Sequence, residues 1–294
     1  MVFSRIPFLL VLAHAILQPH SALAESAKIS FINFSEEPMK LFWVDVSTQT
    51  EIHVQDVQPY QLDREQDTHI GHTFCYYFKG HRHAVTVQEA DQTHAMGSET
   101  IEVACSTTTG DLTAVIKPGW SPRRAARFLD LINIKYFDGC ALNRVVKGFL
   151  TQFGISADYQ MRTKYRMEDI KDDAPQGIAF QQGYMSYAGS GPNSRSSEVF
   201  IVMPGTSERQ LHNFGSENPW ETPFGYVEQE DLRNVVDQWE SYGDMPPWGT
   251  GPDPQHIYKK DGYEYLKREF PKMSYIHECR IVSTASEDEE AEEL

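Results

Sequence analysis

From Ala27 to about Asp91, apolar and polar positions alternate in short runs: Ile29-Ser-Phe31-Ile32, Leu41-Phe42-Trp43-Val44, His72 to Phe78 and Ala84 to Val87. Successive strand residues point to opposite faces, so such runs, rich in β-branched and aromatic residues and separated by polar turn clusters, predict half-buried strands. Together they predict a small β-sandwich over residues 27–95. The polar stretch Ala90 to Ser98 reads as a bridge, and beyond it the pattern changes. Thr100 to Cys105 and Leu112 to Ile116 flank Thr109-Gly110, the pattern of a hairpin. Ser121-Pro122 then supplies an N-cap and a proline at the first helical position, and Ala125, Ala126, Phe128, Leu129 and Ile132 recur at helical spacing. A second helix is predicted from about Asp231 to Glu240, with Leu232, Val235, Val236 and Trp239 on one side. Asn143 to Val146, Phe149 to Gln152, Met185 to Ala188, Val199 to Met203 and Tyr275 to Val282 predict further strands. The fold class expected is mainly β: a small N-terminal sandwich followed by a closed barrel, residues 97–283, capped by two helices.

The two ends carry a different signal. Arg5 precedes an apolar run, Ile6 to Ile16, and Ala22-Leu23-Ala24 places small residues at a cleavage position, so residues 1–24 read as a secretory signal peptide. The run is shorter than the ~20 apolar residues of a spanning helix, and no membrane insertion is expected. The mature chain is expected in the secretory pathway, in the lumen of the endoplasmic reticulum or outside. Residues 284–294 are rich in Glu and Asp, a like-charge block that stays solvated as a disordered tail. The final Glu-Glu-Leu resembles a retrieval signal but carries Ala291 where that signal has a basic residue. A formal net charge of -16 repels phosphate backbones, which excludes nucleic acid as a partner. Cys75, Cys105, Cys140 and Cys279 lack metal-ligand spacing; in an oxidising compartment they predict disulfides, with three connectivities open. Asn33-Phe34-Ser35 is a glycosylation sequon, used if exposed.

Candidate chemistry concentrates in Asn143-Arg-Val-Val-Lys-Gly-Phe149-Leu-Thr-Gln152 and in Gly183 to Phe200. With Pro223-Phe-Gly-Tyr-Val227, Gly249-Thr-Gly251-Pro252 and Phe270-Pro-Lys-Met-Ser-Tyr275-Ile276, these segments resemble the cyclophilins, peptidyl-prolyl cis-trans isomerases, over about Gly97 to Ser283. The physical reading agrees. Rotation about an X-Pro bond crosses a barrier of about 18 to 20 kcal/mol because it destroys amide resonance. A catalyst needs an apolar seat for the proline ring and a fixed cation that favours a pyramidal prolyl nitrogen, and no metal, nucleotide or covalent intermediate. The guanidinium of Arg144 suits that role better than an ammonium because it stays charged and presents fixed donors. The resemblance implies that Phe149, Phe200 and Leu211 form the proline pocket, that Gln152 steadies Arg144, and that the main chain at Ala188 and Gly189 pairs with an extended peptide. Asn143 stands where many members have His, Gly189 where Asn is usual, Glu198 where a Gln contacts substrate, and Glu221 near the usual His. A tight Arg144 to Glu198 pair would dampen catalysis.

Residues 27–95 are similar to the von Hippel-Lindau β-domain in Ile29 to Ser35, Leu41 to Asp45 and Thr68 to Phe74. That resemblance implies a hydroxyproline-binding pocket at Trp43, Thr68, His72 and Phe74, with Val54 nearest the missing pocket tyrosine. The expected partners are therefore proline-containing polypeptides, hydroxyproline-containing chains among them. The function expected is isomerisation during folding of secretory proteins; the alternative is a weakly catalytic scaffold or chaperone that grips proline segments. A serine hydrolase is disfavoured, because the chain has no GxSxG elbow.

Overall fold

The computed structural model describes residues 25–62 and 65–283; residues 1–24, read as a signal peptide, and 284–294, read as an acidic tail, lie outside the described residues. The first part comprises β1 (Ser26–Phe34), β2 (Met39–Asp45), β3 (Thr50–Val57), β4 (Glu65–His69), β5 (Thr73–Phe78), β6 (His81–Thr86) and β7 (Asp91–Gly97). These strands form a three-stranded sheet, β4-β1-β7, and a four-stranded sheet, β3-β2-β5-β6. Ile29, Phe31, Leu41, Phe74, Tyr76 and Met96 from both sheets share one apolar cluster. The stretch expected to be a polar bridge is β7, which pairs parallel with β1 from Lys28↔Asp91 to Phe34↔Gly97. Its sequence hides it, since Met96 is its one fully buried side chain.

Strand β1 joins this part to the rest. Ala27, Ile29 and Phe31 face the cluster between the two small sheets, while Ile32 and Phe34, of opposite parity, enter the main core with Ile101, Ala125 and Leu129. The period-two geometry of a strand lets nine residues feed two cores. Asn33 is fully buried, its Nδ2 donating to the carbonyls of Glu37 (2.7 Å) and Val57 (2.9 Å). The folded chain therefore does not expose the sequon.

The second part contains β8 (Ile101–Thr107), β9 (Gly110–Ile116), α1 (Pro122–Asn133), β10 (Cys140–Ala141), β11 (Arg144–Val146), β12 (Leu150–Phe153) and α2 (Tyr159–Tyr165). It continues with β13 (Tyr184–Tyr187), β14 (Val199–Val202), α3 (Glu208–Ser216), β15 (Gly225–Val227), α4 (Gln229–Asn234), α5 (Pro254–Ile257), α6 (Gly262–Glu269) and β16 (Tyr275–Ser283). The strands form one nine-stranded sheet ordered β10-β16-β8-β9-β15-β13-β14-β12-β11. It curls, but no ladder joins its edges among the described residues, so the hydrogen-bonded closure expected from the sequence is not found. The edge strands β10 and β11 are separated only by Leu142 and Asn143, so the backbone itself links the two rims.

Helix α1 presents Ala125, Phe128, Leu129 and Ile132 to the core as predicted. Ser121 makes no side-chain cap; its hydroxyl donates to Asp173 (2.9 Å), whose carboxylate takes the Arg123 (3.0 Å) and Arg124 (3.3 Å) amides instead. The predicted second helix is broken into α4 and a 3-10 turn, Val236–Gln238, after which Trp239 is extended (φ -59, ψ 138) and buries its indole in the core. Helices α2, α3, α5 and α6 add to the two that were expected. One disulfide forms, Cys105–Cys279 between β8 and β16; Cys75 and Cys140 are free and buried.

Candidate active site

Strand register builds the site. Arg144 on β11 is the cross-strand partner of Gln152 on β12, and Gln152 is the partner of Phe200 on β14. Directly opposed residues share a face, so these three side chains form a row across three strands. The row lines a cleft of about 540 Å³ together with Leu150, Ala188, Gly189 and Glu198. Arg144 is largely buried, and its guanidinium carbon lies 5.9 Å from the centre of the Phe149 ring. Phe200 is only 2% exposed, so the apolar end of the row is already largely shielded.

The cation is held from two sides. Nη1 donates to Gln152 Oε1 (3.2 Å), while Nε and Nη2 donate to the two carboxylate oxygens of Asp244 (2.8 and 3.3 Å). A direct Arg144 to Glu198 pair, which would dampen catalysis, does not form. Glu198 accepts instead from Gln152 Nε2 (2.7 Å) and from the Tyr258 hydroxyl (2.8 Å). This fixes the Gln152 amide, with its nitrogen toward Glu198 and its carbonyl toward Arg144. Burial pushes the Glu198 carboxyl above the usual carboxylate range, against the opposing pull of the Tyr258 and Gln152 hydrogen bonds. Burial likewise raises Glu221, on the cleft wall, against hydrogen bonds from Asn218 and the Gly215 amide.

Of the expected site residues, Phe149 and Leu211 lie in the apolar cluster behind the cleft wall and Asn143 falls elsewhere. Asn143 is 1% exposed and does not reach the cleft, because its neighbour Arg144 takes the cleft-facing position and strand alternation turns Asn143 away. Leu211, on α3, packs in one apolar cluster with Phe149 and Phe200, as expected, and also lines a neighbouring cavity of about 230 Å³ with Phe180, Phe214 and Glu221. Phe214 joins the same cluster beside the aromatic row. The helical geometry of α3 breaks at Phe214 (ψ 129), and its ring stacks on Phe149 (5.6 Å, 16°) and Phe200 (5.2 Å, 23°) and tilts against Phe180 (5.2 Å).

Sequence reasoning missed Asp244, Phe214 and Tyr258. A trace of Asp244 was nevertheless present. Gly249 and Gly251 pack against its backbone: a Cβ at Gly249 would sit 2.3 Å from the Asp244 carbonyl oxygen, and the Gly251 amide donates to that oxygen (2.8 Å). The bridge Val145↔Gly243 then sets this turn beside β11.

In the N-terminal part, Thr68 Oγ1 lies 3.0 Å from His72 Nδ1, and the Trp43 ring meets His72 edge-on at 5.8 Å. Phe74 on β5 is the cross-strand partner of Trp43 and shares its apolar cluster, on the buried side of that group. It is 3% exposed and packs on Phe31 (5.3 Å) in the layer between the sheets.

Comparison with known proteins places this geometry. The family model described as cyclophilin type peptidyl-prolyl cis-trans isomerase/CLD matches residues 100–257, more than half of the chain. A putative bifunctional phosphatase/peptidyl-prolyl cis-trans isomerase of Streptococcus pyogenes is 29% identical over 135 residues, 44% of this chain and 28% of that protein. A putative peptidyl-prolyl cis-trans isomerase of Staphylococcus aureus is 27% identical over 124 residues, 42% of this chain and 63% of that protein. These matches span less than two thirds of either relative. Among solved structures, a cyclophilin type peptidyl-prolyl cis-trans isomerase of Cryptosporidium parvum is 20% identical, with a TM-score of 0.43 over 63% of this chain and 98% of that one. The same protein crystallised with the dipeptide Ala-Pro gives a TM-score of 0.42 at 20% identity, over 62% of this chain and 99% of that one. Because the matched span takes in every strand of the Arg144–Gln152–Phe200 row, the chain belongs to the cyclophilin-type peptidyl-prolyl cis-trans isomerase family.

Proposed function

We propose that the chain is a peptidyl-prolyl cis-trans isomerase acting on proline-containing polypeptides. The observation that carries this reading is the row Arg144–Gln152–Phe200, which sets a restrained guanidinium and an aromatic face on one cleft wall. An extended peptide laid along Ala188 and Gly189 would present its prolyl carbonyl and nitrogen to the free N–H groups of Arg144. As the amide twists, its nitrogen becomes pyramidal and basic, so a nearby donor stabilises the twisted form more than either planar isomer. No bond breaks. The test is a protease-coupled isomerisation assay on an X-Pro peptide, in which Arg144→Ala lowers kcat/KM by about 100-fold or more. An unchanged rate in that variant defeats the proposal.

Two observations favour a second reading, a weakly catalytic scaffold: the Asp244 carboxylate on Arg144 and the Phe214 ring against Phe149 and Phe200. Under it, Phe214→Ala accelerates isomerisation by opening the aromatic floor. A slower Phe214→Ala variant makes that ring part of the proline seat and removes the scaffold reading.

The N-terminal part is, on this proposal, a sandwich like the von Hippel-Lindau β-domain (residues 27–95) that holds hydroxyproline-containing clients beside the isomerase unit (97–283). The Thr68–His72 contact under Trp43 supports it, since a hydroxyl and an imidazole can bond a 4-hydroxyl while an indole packs on the ring. Linked sites raise the effective concentration of a client. Calorimetry on the full chain, comparing a hydroxyproline peptide with its unhydroxylated twin and then His72→Ala, tests this; equal affinities remove it. Entry into the secretory pathway through residues 1–24 completes the proposal and is supported by the Cys105–Cys279 disulfide, which suits an oxidising compartment.

A further inference from the structure

We infer that Asp244 is a positioning residue for the isomerase reaction, acting through Arg144 and, on the opposite flank, in concert with the chain Tyr258–Glu198–Gln152. The inference rests on the isomerase reading above. A guanidinium has five N–H donors in one rigid plane. Asp244 engages Nε and Nη2, and Gln152 engages Nη1, so three donors are committed to the protein. Two remain, one on each terminal nitrogen, and the planar fork fixes their direction once the other three are bound.

A single tether would leave the side chain free to swing about it; two tethers on different nitrogens do not. The second tether is itself built to hold. A glutamine amide can face either way, but here Glu198 accepts from its nitrogen, which leaves the carbonyl for Arg144, and Tyr258 holds the other oxygen of Glu198. Asp244 is also anchored: its backbone carbonyl accepts from the Gly251 amide (2.8 Å), and Oδ1 caps the Met245 amide (2.7 Å). Both supports come from the segment between Gly243 and Tyr258, outside the strands that carry the row.

An ion pair also lowers the effective charge that Arg144 offers the substrate. Orientation outweighs this loss, because the two free N–H groups keep their bond dipoles whereas a displacement of about 1 Å from the reacting amide can cost about 100-fold in rate. Asp244 therefore assists the reaction and does not restrain it.

The experiment uses the full chain and four variants in the protease-coupled assay: Arg144→Ala, Asp244→Ala, Asp244→Asn and the double variant Arg144→Ala/Asp244→Ala, with circular dichroism and Tm for each. Asp244→Ala should lose about tenfold or more in kcat while KM stays within about threefold. Asp244→Asn, whose carbonyl still accepts from Nε, should recover most of that loss. In the Arg144→Ala background, removal of Asp244 should change the residual rate less than about twofold, since a positioning residue has nothing left to position. A residue that merely supports the fold would lower the rate in both backgrounds and in proportion to Tm, which overturns the inference. Faster turnover in Asp244→Ala also overturns it and makes the carboxylate a brake. If Arg144→Ala itself leaves the rate unchanged, the isomerase reading fails; if only Asp244→Ala does, the inference alone fails.

Discussion

Replacing Asp173 by Ala tests how the segment before Phe180 is tied to α1. Asp173 is 3% exposed, and its carboxylate accepts from the Ser121 hydroxyl, the Arg123 and Arg124 amides and Arg124 Nη1 (3.1 Å). Two separate losses follow its removal. The first turn of α1 loses the acceptor for two free amides, worth about 1 kcal/mol by analogy with an ordinary N-cap. Arg124, fully buried, loses its closest carboxylate and keeps the Ser121 hydroxyl (2.9 Å), the Trp220 carbonyl (2.6 Å) and Asp172 at 3.4 Å. Stripping a buried charge of its partner costs about 3–5 kcal/mol, and the surviving contacts put this case at the low end. The two losses share one carboxylate and do not add fully, so Asp173→Ala should destabilise by about 3–4 kcal/mol. Asp173→Asn, which keeps an acceptor for the amides, should lose about half of that. Urea unfolding followed by tryptophan fluorescence reads the change as a shift in midpoint at constant slope. A loss below about 1 kcal/mol, the size of a surface substitution, would refute the claim that this carboxylate holds α1 and the segment before Phe180 together.

Glu198→Gln should keep the relay and remove its charge: the new carbonyl accepts from Gln152, and the new amide donates to the Tyr258 oxygen. Burial holds the Glu198 carboxyl above its ordinary 4.5, so its contribution to stability is full below that pH and is lost as pH rises through the folded-state value. The variant should gain stability over the parent as pH rises from about 4 to about 8, read from urea midpoints; a pH-independent difference speaks against the assigned cause. Gly154→Ala should cost about 2 kcal/mol or more and reduce isomerisation, because at φ +115 a Cβ would lie 2.2 Å from the Ser197 carbonyl oxygen and 2.8 Å from the Glu198 Cα; an unchanged Tm sinks this. Replacing Cys105 and Cys279 by Ser opens a link spanning 174 residues and should lower stability by about 2–5 kcal/mol. Burial pushes the free thiols of Cys75 and Cys140 up to about 11 and about 12, so native protein should resist alkylation at both; rapid native labelling of either contradicts its place in the fold.

What the sequence made legible was local and periodic. The buried face of α1 repeats at helical spacing, the strands of the row are short runs rich in apolar residues, and Arg144, Phe149 and Gln152 lie within one motif, so their residue types and order carried the site. What stayed hidden shares one physical cause: a residue whose partner lies far along the chain leaves no pattern in its own neighbourhood. Asp173 caps a helix that begins 51 positions earlier. Strand β7 is held to β1 by a backbone ladder that its mostly polar, half-buried side chains do not announce, and Phe214 leaves α3 through a break that no periodicity announces.

The charge assignment at the site shows the same limit. Spacing along β14 puts Glu198 on the face of Phe200, and from composition alone an acid there reads as the partner of Arg144. Geometry separates them by one amide: Gln152 stands between, donating to Glu198 and accepting from Arg144, while the counter-charge arrives from Asp244. The exchange of a neutral family residue for Glu198 therefore changes the orientation of Gln152 before it changes the charge felt by a substrate. A carboxylate can only accept, so it forces the amide nitrogen to its side and the carbonyl to the cation, an arrangement that a glutamine at 198 allows but does not impose. On this argument the acid at 198 narrows the motion of the guanidinium, and its cost is the burial of an ionised group that Tyr258 and Gln152 only partly offset.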